Sequence, residues 1–256
     1  MRVLTLFALV LSFLFADEAY EIMKKVDQRD KGDLMSAKMR MILVDSSNKR
    51  RERVMRQFKK VEGDVTKKSI FFIEPADVKN TGFLTLDRKE GDDDQWLYLP
   101  SLRKTKRIAS SDQSGSFMGS DFSYNDLNDR NLDDYTYVLQ SETKIDDVAC
   151  WTIEATPKNE RVIETTGYTK SLLVVRKDNY VIVRAINYET QKSKVKYLDV
   201  PAIKLIDGIW QPTEMRMTLR RENVVAHSTI LMFDEVRFNQ KISAELFTIR
   251  GIENGL

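Results

Sequence analysis

The chain has 256 residues, of which 42% are hydrophobic and 31% charged, so it can bury a substantial core and is not disordered. Its 41 Lys and Arg residues balance 39 Asp and Glu residues, which argues against a dedicated nucleic-acid binder. A single Cys and a single His exclude an intramolecular disulfide and the usual Cys-rich zinc sites. We therefore expect no cofactor and no metal site.

An apolar run opens the chain. Residues 3–16 are almost entirely apolar, follow Arg2 and precede the acidic pair Asp17-Glu18. This order is typical of a secretory signal peptide, and the run is short for a membrane span. We expect cleavage after Ala16, which leaves residues 17–256 as one exported domain. An uncleaved anchor is the alternative.

One helix is predicted before the strands begin. Residues 17–31 carry apolar side chains at helical spacing, and Gly32 stands where a C-terminal cap is expected. After Gly32 the period changes to two, which predicts a strand with one apolar face. That face carries Met35, Ala37, Met39, Met41 and Leu43.

The rest of the chain is predicted to be strands with few helical interruptions. The clearest hairpin turn is Asp207-Gly208, and residues 242–247 predict a short terminal helix. We expect about eleven strands in one large, curved antiparallel sheet or barrel. The predicted strands cover residues 54–61, 69–73, 83–87, 95–99, 105–109, 135–142, 148–156, 172–177, 180–188, 195–206, 209–220 and 228–236.

Familiar catalytic patterns are missing from the sequence. Gly115-Ser116-Phe117-Met118-Gly119 does not match the nucleophile elbow G-x-S-x-G, because Ser116 comes one position too early. Cys150, beside Trp151, is predicted to be a buried free thiol. Asp92-Asp93-Asp94 lacks the ligand spacing of a calcium loop and predicts a solvated turn. We expect a protein that is not an enzyme, although nothing in the sequence rules out a pair of hydrolytic carboxylates.

The segment between Trp96 and Leu127 is the most unusual in the chain. Trp96 and Tyr98 share one face of a strand, and Ser123 with Asp126 can cap a helical turn. The segment predicts either a lid over the sheet or a satellite hydrophobic cluster under a long loop. Its crowded apolar side chains are Phe117, Met118, Phe122, Tyr124 and Leu127.

These motifs resemble a known family. The apolar start, the first helix, the strand W-L-Y-L-P and the segment F-M-G-S-D-F-S-Y-N-D-L are similar to the outer-membrane lipoprotein-sorting proteins, the LolA/LolB-like family, and to a longer periplasmic subgroup in particular. The resemblance implies an incomplete antiparallel barrel whose N-terminal helix and short lid helices cover a hydrophobic cavity. It also implies a periplasmic location. It does not single out the arginine that closes the lid, for which Arg40, Arg103 and Arg107 are candidates.

The function implied is that of a periplasmic carrier, which binds lipid or lipoprotein acyl chains and moves them towards the outer membrane. Its partners would be those acyl chains, with an inner-membrane RND-type transporter or an outer-membrane acceptor. Two alternatives remain: an accessory subunit of an RND-type lipid exporter, and a glycan- or lipid-hydrolysing enzyme. The residues predicted to line the cavity or lid are Met39, Met41, Leu43, Trp96, Tyr98, Phe117, Met118, Phe122, Tyr124, Leu127, Trp151, Met215 and Met217.

Overall fold

The computed structural model describes residues 17–89 and 91–256, so the predicted signal peptide lies outside the described residues. Within these ranges the chain forms three α-helices, which are α1 (residues 17–28), α2 (Glu160–Thr166) and α3 (Ile249–Asn254). None of the described helices is long and apolar enough to cross a membrane. Thirteen strands are present, and each overlaps one of the predicted ranges although the expected total was about eleven: β1 Leu34–Val44, β2 Arg50–Glu62, β3 Val65–Glu74, β4 Gly82–Arg88, β5 Asp94–Leu99, β6 Lys104–Ile108, β7 Tyr135–Ile145, β8 Val148–Pro157, β9 Tyr168–Arg176, β10 Ile182–Glu189, β11 Lys194–Ile206, β12 Ile209–Arg221 and β13 Val224–Phe238.

All thirteen strands belong to one antiparallel sheet that does not close into a barrel. The order is β6-β5-β4-β3-β2-β1-β13-β12-β11-β10-β9-β8-β7, so the first and last strands of the chain pair at its middle. The two edges, β6 and β7, are consecutive in sequence. Residues 109–134, which we call the strap, join them. The strap therefore runs from one edge of the sheet to the other.

The period-two pattern of β1 is confirmed by its burial. Side chains alternate between buried and half-buried along the strand, and Met41 is completely buried. The hairpin turn between β11 and β12 is also where the sequence places it. Asp207 and Gly208 have φ of 52° and 81°, which matches the left-handed backbone that a two-residue hairpin turn requires at both positions.

Both faces of the sheet are covered. The inner face, as we call it, packs against α1 and the strap, while the opposite face of β3–β5 packs against the C-terminal residues. Gly82 of β4 shows how close that second contact is, because a Cβ there would lie 2.5 Å from the carbonyl oxygen of Ile252 in α3. Apolar clusters therefore lie on both faces of the sheet.

The helices differ from the prediction in three places. Helix α1 ends at residue 28, short of residue 31, and the N–H of Gly32 donates to the Asp30 carboxylate in a turn that competes with further helix (2.8 Å). Helix α2 was not predicted; Asn159 caps its start and Gly167, at φ 78°, ends it. At the C-terminus a 3-10 turn, Ala244–Phe247, precedes α3.

Candidate functional site

The strap fills one half of the inner face. Its Phe117 and Phe122 are fully buried against the inner side chains of β1–β6. The Phe117 ring centroid lies 5.0 Å from that of Phe83 and 5.6 Å from that of Tyr124. The strap's own aromatic rings therefore occupy much of this half.

The other half of the inner face contains an apolar cavity of about 270 Å³. Helix α1 contributes Met23 and Val26, and the strap contributes Phe122. Because an apolar cavity of about 150 Å³ can bind benzene, this volume corresponds to roughly ten carbon atoms. The strands contribute the apolar side chains of Tyr135, Tyr137, Leu173, Val181, Ile182, Ala185, Leu198, Val200, Met215 and Met217.

The structure brings together most of the predicted site residues. Three of them, Phe122, Met215 and Met217, line the apolar cavity itself. Others pack in the adjoining core instead: Met39, Met41, Leu43, Phe117, Met118, Tyr124 and Leu127. Met39 and Met41 of β1 therefore belong to the packed core beneath the strap, whereas Met35 packs with Ile209 and Phe238.

Three predicted residues lie elsewhere. Trp96 and Tyr98 point to the opposite face of the sheet, where they pack with Phe247 and Ile252 of the C-terminal cover. The strand pattern correctly placed the two rings on one face of β5 but did not show which face it was. Trp151 is on the inner face with α1, and its ring stacks on Tyr180 at 5.9 Å. None of the three lines the apolar cavity.

Three strap carboxylates attach the strap to different strands. Asp121 contacts His227 and accepts from Thr229 of β13 (2.7 Å), and Asp126 accepts from Tyr168 of β9 (2.8 Å). The predicted cap between Ser123 and Asp126 is confirmed, because each backbone N–H donates to the other's side chain (2.8 and 3.0 Å).

The third strap carboxylate, Asp129, lies among bases. It is 3.6 Å from Lys31 and 3.9 Å from Lys68, which also donates to Asp87 (2.9 Å). Lys68, followed by the other bases around it, holds the pKa of Asp129 well below its usual range. Nearby, burial lowers the pKa of Lys59 to about 8. Near its end the strap therefore joins a charge network between α1 and the sheet, in which Lys68 and Asp87 are largely buried and Asp129 is 46% exposed.

None of the candidate arginines from the sequence holds the strap. Arg40 pairs with Asp234 (2.9 Å) and Arg107 with Asp94 (2.6 Å). Two other arginines contact it: Arg53 of β2, whose Nη1 donates to the Met118 carbonyl oxygen (2.6 Å), and Arg161 of α2, which pairs with Asp134 (3.4 Å). In the sequence Arg53 stands among other basic residues of β2, so nothing there distinguishes it.

Two predictions about individual side chains have different outcomes. Cys150 is a buried free thiol, as expected, and burial raises its pKa. The acidic run 92–94 is not a simple solvated turn. Asp93 accepts from the Arg88 N–H (2.8 Å) and the Asn128 amide (2.6 Å), and burial raises its pKa to about 6.

A larger polar groove of about 660 Å³ adjoins the apolar cavity. The two share part of their lining, so together they form one amphipathic site. Sequence reasoning missed the polar members, because charged residues at the end of α1 and in the strap look like ordinary surface residues. The shared residues are Asp27, Arg29, Lys31, Asn125, Asp129, Arg130, Leu132, Tyr135 and Thr166.

Comparison with known proteins supports this fold. The chain is 31% identical to a domain from Vibrio parahaemolyticus described as an outer-membrane lipoprotein-sorting protein, with a TM-score of 0.84 over 93% of this chain and 99% of that one. It is 30% identical to a DUF1329 family protein from Desulfovibrio piger, again with a TM-score of 0.84 and coverage of 93% and 99%. No curated protein matches the chain.

Two further matches agree. A LolA superfamily protein from Nitrosomonas europaea has the same fold at 20% identity, with a TM-score of 0.68 over 90% of this chain and 97% of that one. A family model described as "-like: Uncharacterized protein" matches residues 64–254. The open sheet with its strap is thus a carrier-type fold. The chain belongs to the LolA-like family of outer-membrane lipoprotein-sorting proteins.

Proposed function

We propose that this protein is a periplasmic carrier, without catalytic turnover, that binds the acyl chain of a lipid or lipoprotein and moves it towards the outer membrane. The observation that carries the proposal is the apolar cavity between α1, the strap and strands β7–β12. Its relative from Vibrio parahaemolyticus is described as a lipoprotein-sorting protein, which fits this role.

The free energy available from such a cavity is sufficient for useful affinity. Each buried methylene contributes about 0.8 kcal/mol, so a chain of roughly ten carbons contributes about 8 kcal/mol before the costs of association. Longer chains need more room than the 270 Å³ present. We infer that they displace part of the strap, whose Phe117 and Phe122 occupy the other half of the inner face.

The test fills the cavity with a larger side chain and measures the binding of decanol, which presents an acyl-like tail without charge. Ala185 lines the cavity, so Ala185→Leu should lower decanol affinity at least tenfold in calorimetry, while the fold is retained. The matched control is Ala155→Leu in the same apolar cluster, where Ala155 is fully buried and outside the cavity lining. That change should destabilise the fold by about 1–3 kcal/mol through overpacking.

Separate measurements test the role as a carrier. Native mass spectrometry of protein purified from its own cells should show a bound lipid or lipidated peptide, and stability should fall after delipidation. Incubation with phospholipid or a lipidated peptide should return the ligand unchanged. Decanol binding that Ala185→Leu leaves intact, or release of a hydrolysed product, would contradict the proposal.

A further inference from the structure

The wall shared by the apolar cavity and the polar groove contains an arginine with an unused donor. Arg130 of the strap lines both spaces, and its guanidinium lies over the Tyr135 ring at 4.3 Å. Its Nη2 donates to the Ser171 hydroxyl (3.3 Å), but its Nη1 is buried without a hydrogen-bond partner. Within residues 17–89 and 91–256, no carboxylate lies within ion-pair distance of it.

A second unused donor lies in the wall of the same cavity. Tyr137 is 3% exposed, and its hydroxyl is buried without a partner in the part of the chain that the structure describes. Leaving a buried donor unpaired is destabilising, and nine-tenths or more of buried polar groups are paired. Two such donors in one cavity wall indicate that an acceptor belongs there.

The charges at this boundary favour an anionic acceptor. Three bases, Arg29, Lys31 and Arg130, line both spaces, against two acids, Asp27 and Asp129. A third acid, Asp126, lines the apolar cavity alone and already accepts from Tyr168 (2.8 Å). Arg29 Nη1 donates to the backbone carbonyl oxygen of Trp210 (2.9 Å) and not to a carboxylate.

Further acids line the polar groove, but several of them already have partners. Arg161 pairs with Asp92 (2.5 Å) and Asp134 (3.4 Å), and Tyr20 donates to Asp133 (3.1 Å). An anion is therefore better placed at the boundary with the apolar cavity than in the outer part of the groove.

We propose that the ligand is an anionic amphiphile, whose carboxylate or phosphate accepts hydrogen bonds from Arg130 Nη1 and the Tyr137 hydroxyl while its chain lies in the apolar cavity. This inference rests on the proposed acyl-chain function and adds the chemistry of the head group. A planar guanidinium suits either anion, because it presents two donors in a fixed geometry.

The experiment compares three ligands with the same ten-carbon tail, below their micelle concentrations at pH 7.5. Decanoate and decyl phosphate should each bind at least tenfold more tightly than decanol, because hydrogen bonds to a charged group are stronger than neutral ones. Tighter binding of decanoate identifies a fatty-acid carboxylate as the head group, whereas tighter binding of decyl phosphate identifies a lipid phosphate. Equal binding of all three overturns the anionic head group but leaves the acyl cavity intact. No binding at all overturns both proposals.

Two variants assign the preference to its residues. Arg130→Gln should bring the ratio of anion affinity to decanol affinity down to about one, and Arg130→Lys should restore part of that ratio. Tyr137→Phe keeps the packed ring and should lower the ratio of anion affinity to decanol affinity by about tenfold. It therefore remains a test if Arg130→Gln fails to fold. The control Arg184→Gln removes an exposed arginine that pairs with Asp199 (2.7 Å). It should change neither the affinity for anions nor the affinity for decanol. Anion preference that survives both Arg130→Gln and Tyr137→Phe overturns the assignment.

Discussion

Asp121 of the strap and Thr229 of β13 hold each other through two hydrogen bonds. The Asp121 N–H donates to the Thr229 hydroxyl (3.0 Å), and that hydroxyl donates to the Asp121 carboxylate (2.7 Å). Both residues are buried, so water does not compete for these bonds. Together with Asp126 and Asp129, this contact ties the strap down at three separated strands.

Thr229→Val should therefore loosen the strap. The change keeps the side-chain shape but leaves the buried Asp121 carboxylate without its hydroxyl donor, which should cost about 1–3 kcal/mol in urea unfolding. Binding of long acyl chains should become faster, because they need the strap to yield. The control is Thr85→Val, since the Thr85 hydroxyl is buried without a partner and its removal should be neutral or stabilising. Equal losses of unfolding free energy in Thr229→Val and Thr85→Val would contradict a stabilising contact between Asp121 and Thr229.

Lys59 predicts a gain of stability at alkaline pH. Burial, aided by neighbouring bases, lowers its pKa from 10.5 to about 8, and its ammonium donates only to the Lys31 carbonyl oxygen (2.7 Å). Between pH 8 and 10.5 the unfolded chain holds a proton that the folded chain has released, so stability rises with pH. The rise should approach about 3 kcal/mol. Urea unfolding across this range should show it, and Lys59→Met should remove it; an unchanged slope in the variant would contradict the assignment.

Asp93 predicts a change of opposite sign at acidic pH. Burial and the nearby Asp87 raise its pKa to about 6, so its contribution to stability increases as pH falls from about 6 to 4. Asp93→Asn should stabilise the fold at pH 7.5 by roughly 1–3 kcal/mol and remove this increase. The side-chain oxygen Oδ1 of Asn128 has no partner among the described residues. Once the Asn128 side-chain amide flips, the new amide at position 93 can donate to this oxygen. Loss of stability at pH 7.5 would show that the charged form is the one required.

The strands and the site differ in how far the sequence pattern could predict them. Alternation in β1 correctly predicted which side chains share a face, because one residue of slippage would expose the whole Met row. For Trp96 and Tyr98 the same alternation was insufficient, since both faces of β5 are covered and periodicity does not tell one cover from the other. Arg130 and Lys59 were missed because their burial arises only when the strap and α1 meet the sheet.

The last prediction separates packed core from cavity within the predicted Met rows. Met41 is completely buried beneath the strap, so Met41→Asp places an unpaired charge in close-packed core and should cost more than about 4 kcal/mol. Met215 is half-buried and lines the apolar cavity beside the polar groove, where a carboxylate can stay hydrated. Met215→Asp should therefore keep the fold and lose decanol binding. Thermal denaturation and calorimetry on both variants decide the matter. A folded Met41→Asp protein that no longer binds decanol would mean that the cavity extends under the strap and that the β1 face contacts the ligand after all.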